Sequence, residues 1–186
     1  IKSRLQRDVS PDDMQWFRES LKHFNNNIGL ILADDVATFL SEISDEQITF
    51  LEKVLAEKNE EWLEEHKPGN NRTEKIQDRV EEWIGDLTEE QKNWIVKRYG
   101  EEVRSYDLWY ERRLASQNRF LGIVKKRPGK LKLKEELLDW YLNPEQFYSE
   151  AYIESNKRFR KRTADLIVML NRTATKEQRE HIEDKI

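Results

Sequence analysis

Apolar residues recur along this chain at steps of three and four, the period of an amphipathic helix, almost from end to end. Met14, Phe17, Leu21, Phe24, Ile28 and Ile31 form a first stripe. After a shift of one residue it continues through Leu32, Val36, Phe39 and Ile43. The stretch "NNNIG" at 25–29 interrupts the side chains but not the period, so the pattern predicts one long helix there. Ile48, Leu51, Leu55, Asn59 and Trp62 mark a second helix, ended by Pro68-Gly69. Ile76, Val80, Ile84 and Leu87 mark a third. Trp94, Ile95 and Tyr99 mark a fourth, with Gly100 as its stop. Tyr110, Leu114, Gln117, Leu121 and Val124 mark a fifth, ended by Pro128-Gly129. "EELLDWYL" is a short sixth. Tyr148, Tyr152, Asn156, Phe159, Thr163, Leu166 and Leu170 mark a long seventh, and residues 176–186 an eighth.

A second pattern fixes where these helices begin. "VSPDDM" at 9–14, "ISDEQI" at 43–48, "LTEEQK" at 87–92, "LNPEQF" at 142–147 and "ATKEQR" at 174–179 share one design. Thr88 can accept from the backbone N–H of Gln91 while the Gln91 side chain reaches back to the Thr88 N–H, which is a capping box. Ser44 with Gln47 and Thr175 with Gln178 have the same spacing. Ser10 and Asn143 are each followed by Pro, which is tolerated at the first helical position because its missing N–H would be unpaired there anyway. Acidic residues follow in each first turn, where the helix dipole favours them. Val9 with Met14, Ile43 with Ile48 and Leu142 with Phe147 are spaced as hydrophobic staples. Ser10, Ser44, Thr88, Asn143 and Thr175 are therefore the expected N-caps. Their spacing is too irregular for a solenoid. "KLKLK" at 130–134 is the one alternating stretch and is too short to outweigh the rest. The expected fold is all-α: one domain over residues 1–186, a bundle of long antiparallel helices with short ones interspersed.

Composition adds limits. Charged residues make up 38% of the chain, but six Trp, six Tyr and seven Phe in periodic positions exclude a disordered segment. There is no cysteine, so disulfides, thiolate metal sites and Cys nucleophiles are excluded. No apolar run reaches the roughly 20 residues that span a bilayer. Residues 1–100 carry 14 basic and 22 acidic side chains, a net of −8, whereas residues 101–186 carry 19 and 15, a net of +4. With a pI near 5.6 for the whole chain, nucleic acid is not an expected partner.

The blocks "EISDEQITFLEKVLAEKNEEW", "RVEEWIGDLTEEQKNWI", "LWYERRLASQNRFLGIV" and "LDWYLNPEQFYSEAYIESNKRF", taken in order, resemble a family of uncharacterised lipoproteins of the Gram-negative envelope. The resemblance runs from about residue 36 to the end. It implies an all-helical periplasmic domain, secreted by a signal peptide and anchored through a lipidated N-terminal Cys. That leader, the Cys and further N-terminal helices are expected upstream of Ile1, outside this chain. "LTEEQ" at 87–91 also resembles the Leu-Thr-x-x-Gln pattern of periplasmic stress chaperones of the Spy and CpxP type, with "ISDEQ" and "ATKEQ" as looser matches.

Candidate chemistry is sparse. His23, His66 and His181 lie far apart, and no His-Glu-x-x-His, phosphate-binding glycine loop or Gly-x-Ser-x-Gly occurs. No catalytic residue, metal ligand or cofactor is expected. Two constellations stand out. Asn59, Gln117 and Asn156 occupy apolar-stripe positions, with Arg113 and Arg160 each four residues from one of them; a buried hydrogen-bonded set that fixes helix register outweighs a ligand site. Lys125, Lys126, Arg127, Lys130, Lys132 and Lys134 form a basic run without any Asp or Glu from Arg119 to Lys134. Such a run suits an anionic lipid or an acidic envelope protein, unless the acidic N-terminal helices neutralise it within the fold. The functional expectation is a non-enzymatic, periplasm-facing lipoprotein domain that binds or supports other envelope components. The alternatives are an ATP-independent chaperone of the Spy type, which needs an exposed apolar surface, and an enzyme acting on peptidoglycan, which needs a cleft with two carboxylates.

Overall fold

The computed structural model describes residues 9–66, 72–100 and 106–185. Every regular element among them is helical: α1 Pro11–Ser41, α2 Asp45–Glu65, α3 Arg72–Ile84, α4 Glu89–Tyr99, α5 Tyr106–Lys125, α6 Lys130–Leu142, a 3-10 turn Pro144–Phe147, α7 Glu150–Thr173 and α8 Lys176–Lys185. The all-α expectation holds. Pro68-Gly69, expected to end the second helix, lies outside the described residues.

The caps explain the boundaries. Ser44 and Thr88 each close a full capping box with Gln47 and Gln91. Thr175 does the same with Gln178, its hydroxyl accepting from the Gln178 N–H at 3.2 Å and its own N–H donating to Oε1 at 3.0 Å. Ser10 forms a variant with Asp13, whose carboxylate accepts from the Ser10 N–H at 3.1 Å. Asn143 departs from expectation. It precedes only the four-residue 3-10 turn and makes no side-chain cap; its amide donates to Asp139 instead. The long helix α7 starts later, where the Ser149 hydroxyl accepts from the Tyr152 N–H at 3.2 Å. Pro144 restricts Asn143 away from helical geometry and so favours the short turn. Gly100 follows α4 in right-handed geometry (φ −67°, ψ −36°), so it does not stop the helix by the left-handed route.

The helices cluster into two compact units, Ile1–Arg18, Pro68–Arg104 and Asn156–Ile186 in the first, Glu19–Lys67 and Ser105–Ser155 in the second. In the first unit Ile84, Leu87, Ile95, Tyr99 and Leu166 form the buried core, with Trp94 and Ile182 packed against it. Burying an aliphatic side chain such as Ile95 contributes about 1.5–3 kcal/mol. Beside this core two capping boxes meet. Gln91 Nε2 donates to Gln178 Oε1 at 3.0 Å, and Gln178 Nε2 donates to Gln91 Oε1 at 2.9 Å. The same amide nitrogens also donate to Thr173 and to the Asp86 carbonyl. Each glutamine thus caps its own helix and ties the starts of α4 and α8 together.

In the second unit Leu40, Ile43, Ile48, Ile123, Val124, Leu133 and Leu137 are the core, flanked by Phe120 and Trp140. Ile43 and Ile48, the expected staple, are both in it. Contacts between α2 and α5 run in opposite order along the chain: Glu52 with Lys125, Asn59 with Gln117, Trp62 with Tyr110, His66 with Tyr106. That order shows the two helices to be antiparallel.

Helix α1 is unbroken through "NNNIG". Gly29 is needed there for a different reason, since a Cβ on it would overlap the Tyr141 ring, whose hydroxyl donates to the Asn25 carbonyl at 3.2 Å.

Candidate functional site

The first helix inverts its expected orientation. Within the second unit, α1 buries Ala33, Ala37 and Leu40. With Gly29 these form a narrow stripe at i, i+4, i+8 and i+11 that lets the backbone approach its neighbours closely. The large side chains read as core from their period point outward. Leu21, Phe24, Ile28, Ile31, Leu32, Val36 and Phe39 are all exposed, with Phe24 at 61%, Ile31 at 76% and Phe39 at 64%. A small cleft of about 160 Å³ beside α1, walled by Leu32, Val36, Leu137 and Trp140 among others, continues this face inward. Single exposed apolar residues are ordinary, whereas a contiguous apolar face of this kind is a candidate interaction surface.

The first unit holds a larger apolar groove of about 600 Å³. Leu166, Ile167 and Leu170 of α7 form one wall, Val80, Trp83 and Ile84 of α3 a second, and Ile182 of α8 a third. Val9 closes one part, and its N–H is held by Asn171 Oδ1 at 2.9 Å. The volume lies within the range of small-ligand sites, about 300–1,000 Å³.

The polar constellation is brought together in part. Asn59 Nδ2 donates to Gln117 Oε1 at 2.8 Å, while Asn59 Oδ1 accepts from Gln117 Nε2 at 3.0 Å and from Arg113 Nε at 2.6 Å. Asn59 is buried and its partners are half-buried, so the three form a satisfied polar seam between α2 and α5. Asn156 and Arg160 do not join it; they belong to the first unit, where Asn156 is half-buried and Arg160 exposed.

Much of the basic run is paired within its own unit, with four carboxylates facing its six cations. Lys125 pairs with Glu52, Arg127 with Asp45, Lys132 with Glu135, and both Lys130 and Lys134 with Asp34. Lys126 is exposed. Hydrogen bonds from Lys130 and Lys134, together with their charges, hold the Asp34 carboxyl below the ordinary carboxylate value. The acidic residues of α1 and α2 therefore answer the charge that the sequence concentrates near the start of α6. Each of these pairs is solvated and contributes little to stability.

Among the described residues no group of three His, Cys, Asp or Glu side chains is placed to hold a metal ion, and no helix is long and apolar enough to cross a membrane. Residues 3–153 match an established protein family. The chain belongs to a family of unknown function (DUF6279). The match includes all of α1 and its outward face, and it stops in the first turn of α7, before Leu166 and Ile182 of the groove. It begins some thirty residues ahead of the lipoprotein resemblance read from the sequence blocks and says nothing of a lipid anchor or of the periplasm. No curated protein and no solved structure matches the chain.

The outward face of α1 was within reach of the sequence. Its apolar residues cover more of the helix than one core-facing stripe needs, and Gly29, Ala33 and Ala37 share a side that large residues avoid. Trp83, at 62% exposed, carried no sequence signal as a groove residue because it sits off the third stripe.

Proposed function

We propose that this DUF6279 chain is a non-enzymatic binding domain of the Gram-negative envelope, facing the periplasm, that holds a protein partner on the apolar face of α1. The observation that carries the reading is the outward row from Leu21 to Phe39. Covering half-exposed side chains such as Phe24, Ile31 and Phe39 would contribute about 1 kcal/mol or more apiece before the cost of association is met. Apart from Asp34, which Lys130 and Lys134 pair, the part of α1 in this unit carries Glu19, Lys22 and Asp35, one cation against two carboxylates. An apolar protein surface suits that balance better than an anionic bilayer. The periplasmic setting rests on the lipoprotein resemblance of the sequence blocks.

A chaperone of the Spy type would use the same face. The motif behind that comparison, however, is occupied elsewhere: Thr88 and Gln91 cap α4, and Gln91 is fully buried against Gln178. A buried motif of this kind offers a client no surface. Nothing in the geometry favours a peptidoglycan-acting enzyme.

The deciding experiment compares affinity isolation from envelope extract by the unaltered protein and by a Phe24→Ser/Ile31→Ser/Phe39→Ser variant. All three positions are exposed, so the variant should fold. One protein retained in near-stoichiometric amount and lost with the variant supports the proposal. Many substoichiometric proteins, together with suppressed aggregation of a model client, would point to the chaperone. Equal retention by both proteins would refute a role for the face.

A further inference from the structure

The groove in the first unit lies outside that reading and has its own chemistry. Its walls are apolar, its volume of about 600 Å³ is that of a small-ligand site, and its described lining residues include two cations, Arg79 and Arg179, against one carboxylate, Glu183. Lining residues of α7 run from Thr163 to Leu170 and on to Asn171, so the wall is elongated along the helix rather than round. From Thr163 to Asn171 a helix rises roughly 12 Å. Arg79 is exposed and free to turn toward a ligand, whereas Arg179 is fixed by donating to the Asn171 carbonyl at 2.8 Å.

An occupant that matches this lining is apolar and narrow where it lies along the α7 wall, with negative charge at an end. We infer that the groove binds a free long-chain fatty acid, its acyl chain lying against Leu166, Leu170 and Ile182 and its carboxylate reaching Arg79. A neutral hydrocarbon would leave the net positive lining unanswered. A zwitterionic lipid with two chains would need more room than one elongated groove supplies.

Trp83 gives a direct readout, since it lines the groove and is largely exposed when the groove is empty. Titration of the full chain with dibromostearate should quench part of the tryptophan emission saturably, and Trp83→Phe should remove that part. Arg79→Glu should weaken binding by about three- to tenfold, the scale of losing and reversing one exposed ion pair. The methyl ester of the same acid should bind more weakly than the acid and be indifferent to Arg79→Glu. Ala174→Phe, which fills the groove from its smallest lining side chain, should abolish quenching while the far-ultraviolet circular dichroism stays that of the unaltered chain. The inference is overturned if quenching is absent or unsaturable, if it survives both Trp83→Phe and Ala174→Phe, or if acid and ester bind equally. It is also overturned if sedimentation shows a dimer whose formation shields Trp83 without fatty acid, since a second copy would then be the occupant. None of these readouts depends on the α1 face, so failure here leaves the protein-partner reading standing, and the reverse.

Discussion

The reciprocal glutamine pair makes a prediction that can be worked from distances. Gln91→Ala removes Oε1, which accepts from the Thr88 N–H at 3.0 Å and closes that capping box. It also removes both amide bonds to Gln178 and the donor to Thr173. Gln178 is not stranded, because its Oε1 still accepts from the Thr175 N–H and its Nε2 still donates to the Asp86 carbonyl. Three to four hydrogen bonds at about 0.5–1.5 kcal/mol each, plus a small cavity where a fully buried side chain stood, give a loss of about 3–5 kcal/mol. Gln178→Ala should cost a similar amount. The double variant should cost less than the sum by about 1–3 kcal/mol, because the two shared bonds can be lost only once. Urea unfolding followed by tryptophan emission is the assay, with Trp94 reporting from the core beside the pair. Additivity within about 0.5 kcal/mol would falsify the claim that the two caps act as one unit.

Gln91→Glu adds a test of sign. Burial raises the pKa of the new carboxyl in the folded state above its unfolded value of about 4.3. The folded state then binds the proton more tightly, so stability relative to the unaltered chain is best below about pH 4 and falls as pH rises toward the folded pKa. A penalty that instead grows on acidification would refute the buried, donor-dependent geometry.

Three further outcomes are expected. Ser149→Ala should lower stability by about 1 kcal/mol, and Asn143→Ala by less than about 0.5, since only Ser149 caps a helix of any length; the reverse order in urea melts would refute the boundary given for α7. Asn59→Leu should cost about 2–3 kcal/mol by leaving Arg113 and Gln117 without their acceptor, and Asn59→Leu/Gln117→Leu should cost less than the single change and the Gln117→Leu change summed; a neutral Asn59→Leu would refute the polar seam. The Asp34 carboxyl, titrated by carbon-13 NMR, should ionise below the ordinary carboxylate value and return toward it in a Lys130→Met/Lys134→Met variant. With the folded pKa lowered, whatever stability the Asp34 pairs supply is present above the unfolded value of about 3.9 and disappears as pH falls through the folded one; an unshifted titration would show the pairs to be open in solution.

Among the described residues, helix order and most starts were legible because they rest on local chemistry. A capping box is closed by residues three apart, and Ser44, Thr88 and Thr175 behave as their neighbours dictate. Asn143 failed because its Pro and acidic neighbours suit a 3-10 turn as well as an α-helix, and nothing local says which will be extended. What was not legible is what the caps meet. That Gln91 finds Gln178 is a contact between residues 87 apart in sequence, and no spacing rule reaches that far. Which acids would pair the basic run was hidden for the same reason, since Asp34 lies 96 residues from Lys130 and could be paired with it only by the fold.

The error on α1 has a different origin. A period of three and four reports that a stripe exists, and the weight of Phe and Ile in any hydropathy measure draws the eye to the heaviest stripe. Gly29, Ala33 and Ala37 weigh little on such a measure, yet they are what allows α1 to lie close to its neighbours, where short side chains bring more backbone and core atoms into contact. Once that light stripe is taken inward, geometry leaves the heavy one no place in its own unit: Phe24 and Ile31 sit on the opposite side of the helix from Ala33 and Ala37. The chain thus spends its small residues on folding and its large ones on a surface, and the proposed binding role rests on this division of labour along a single helix.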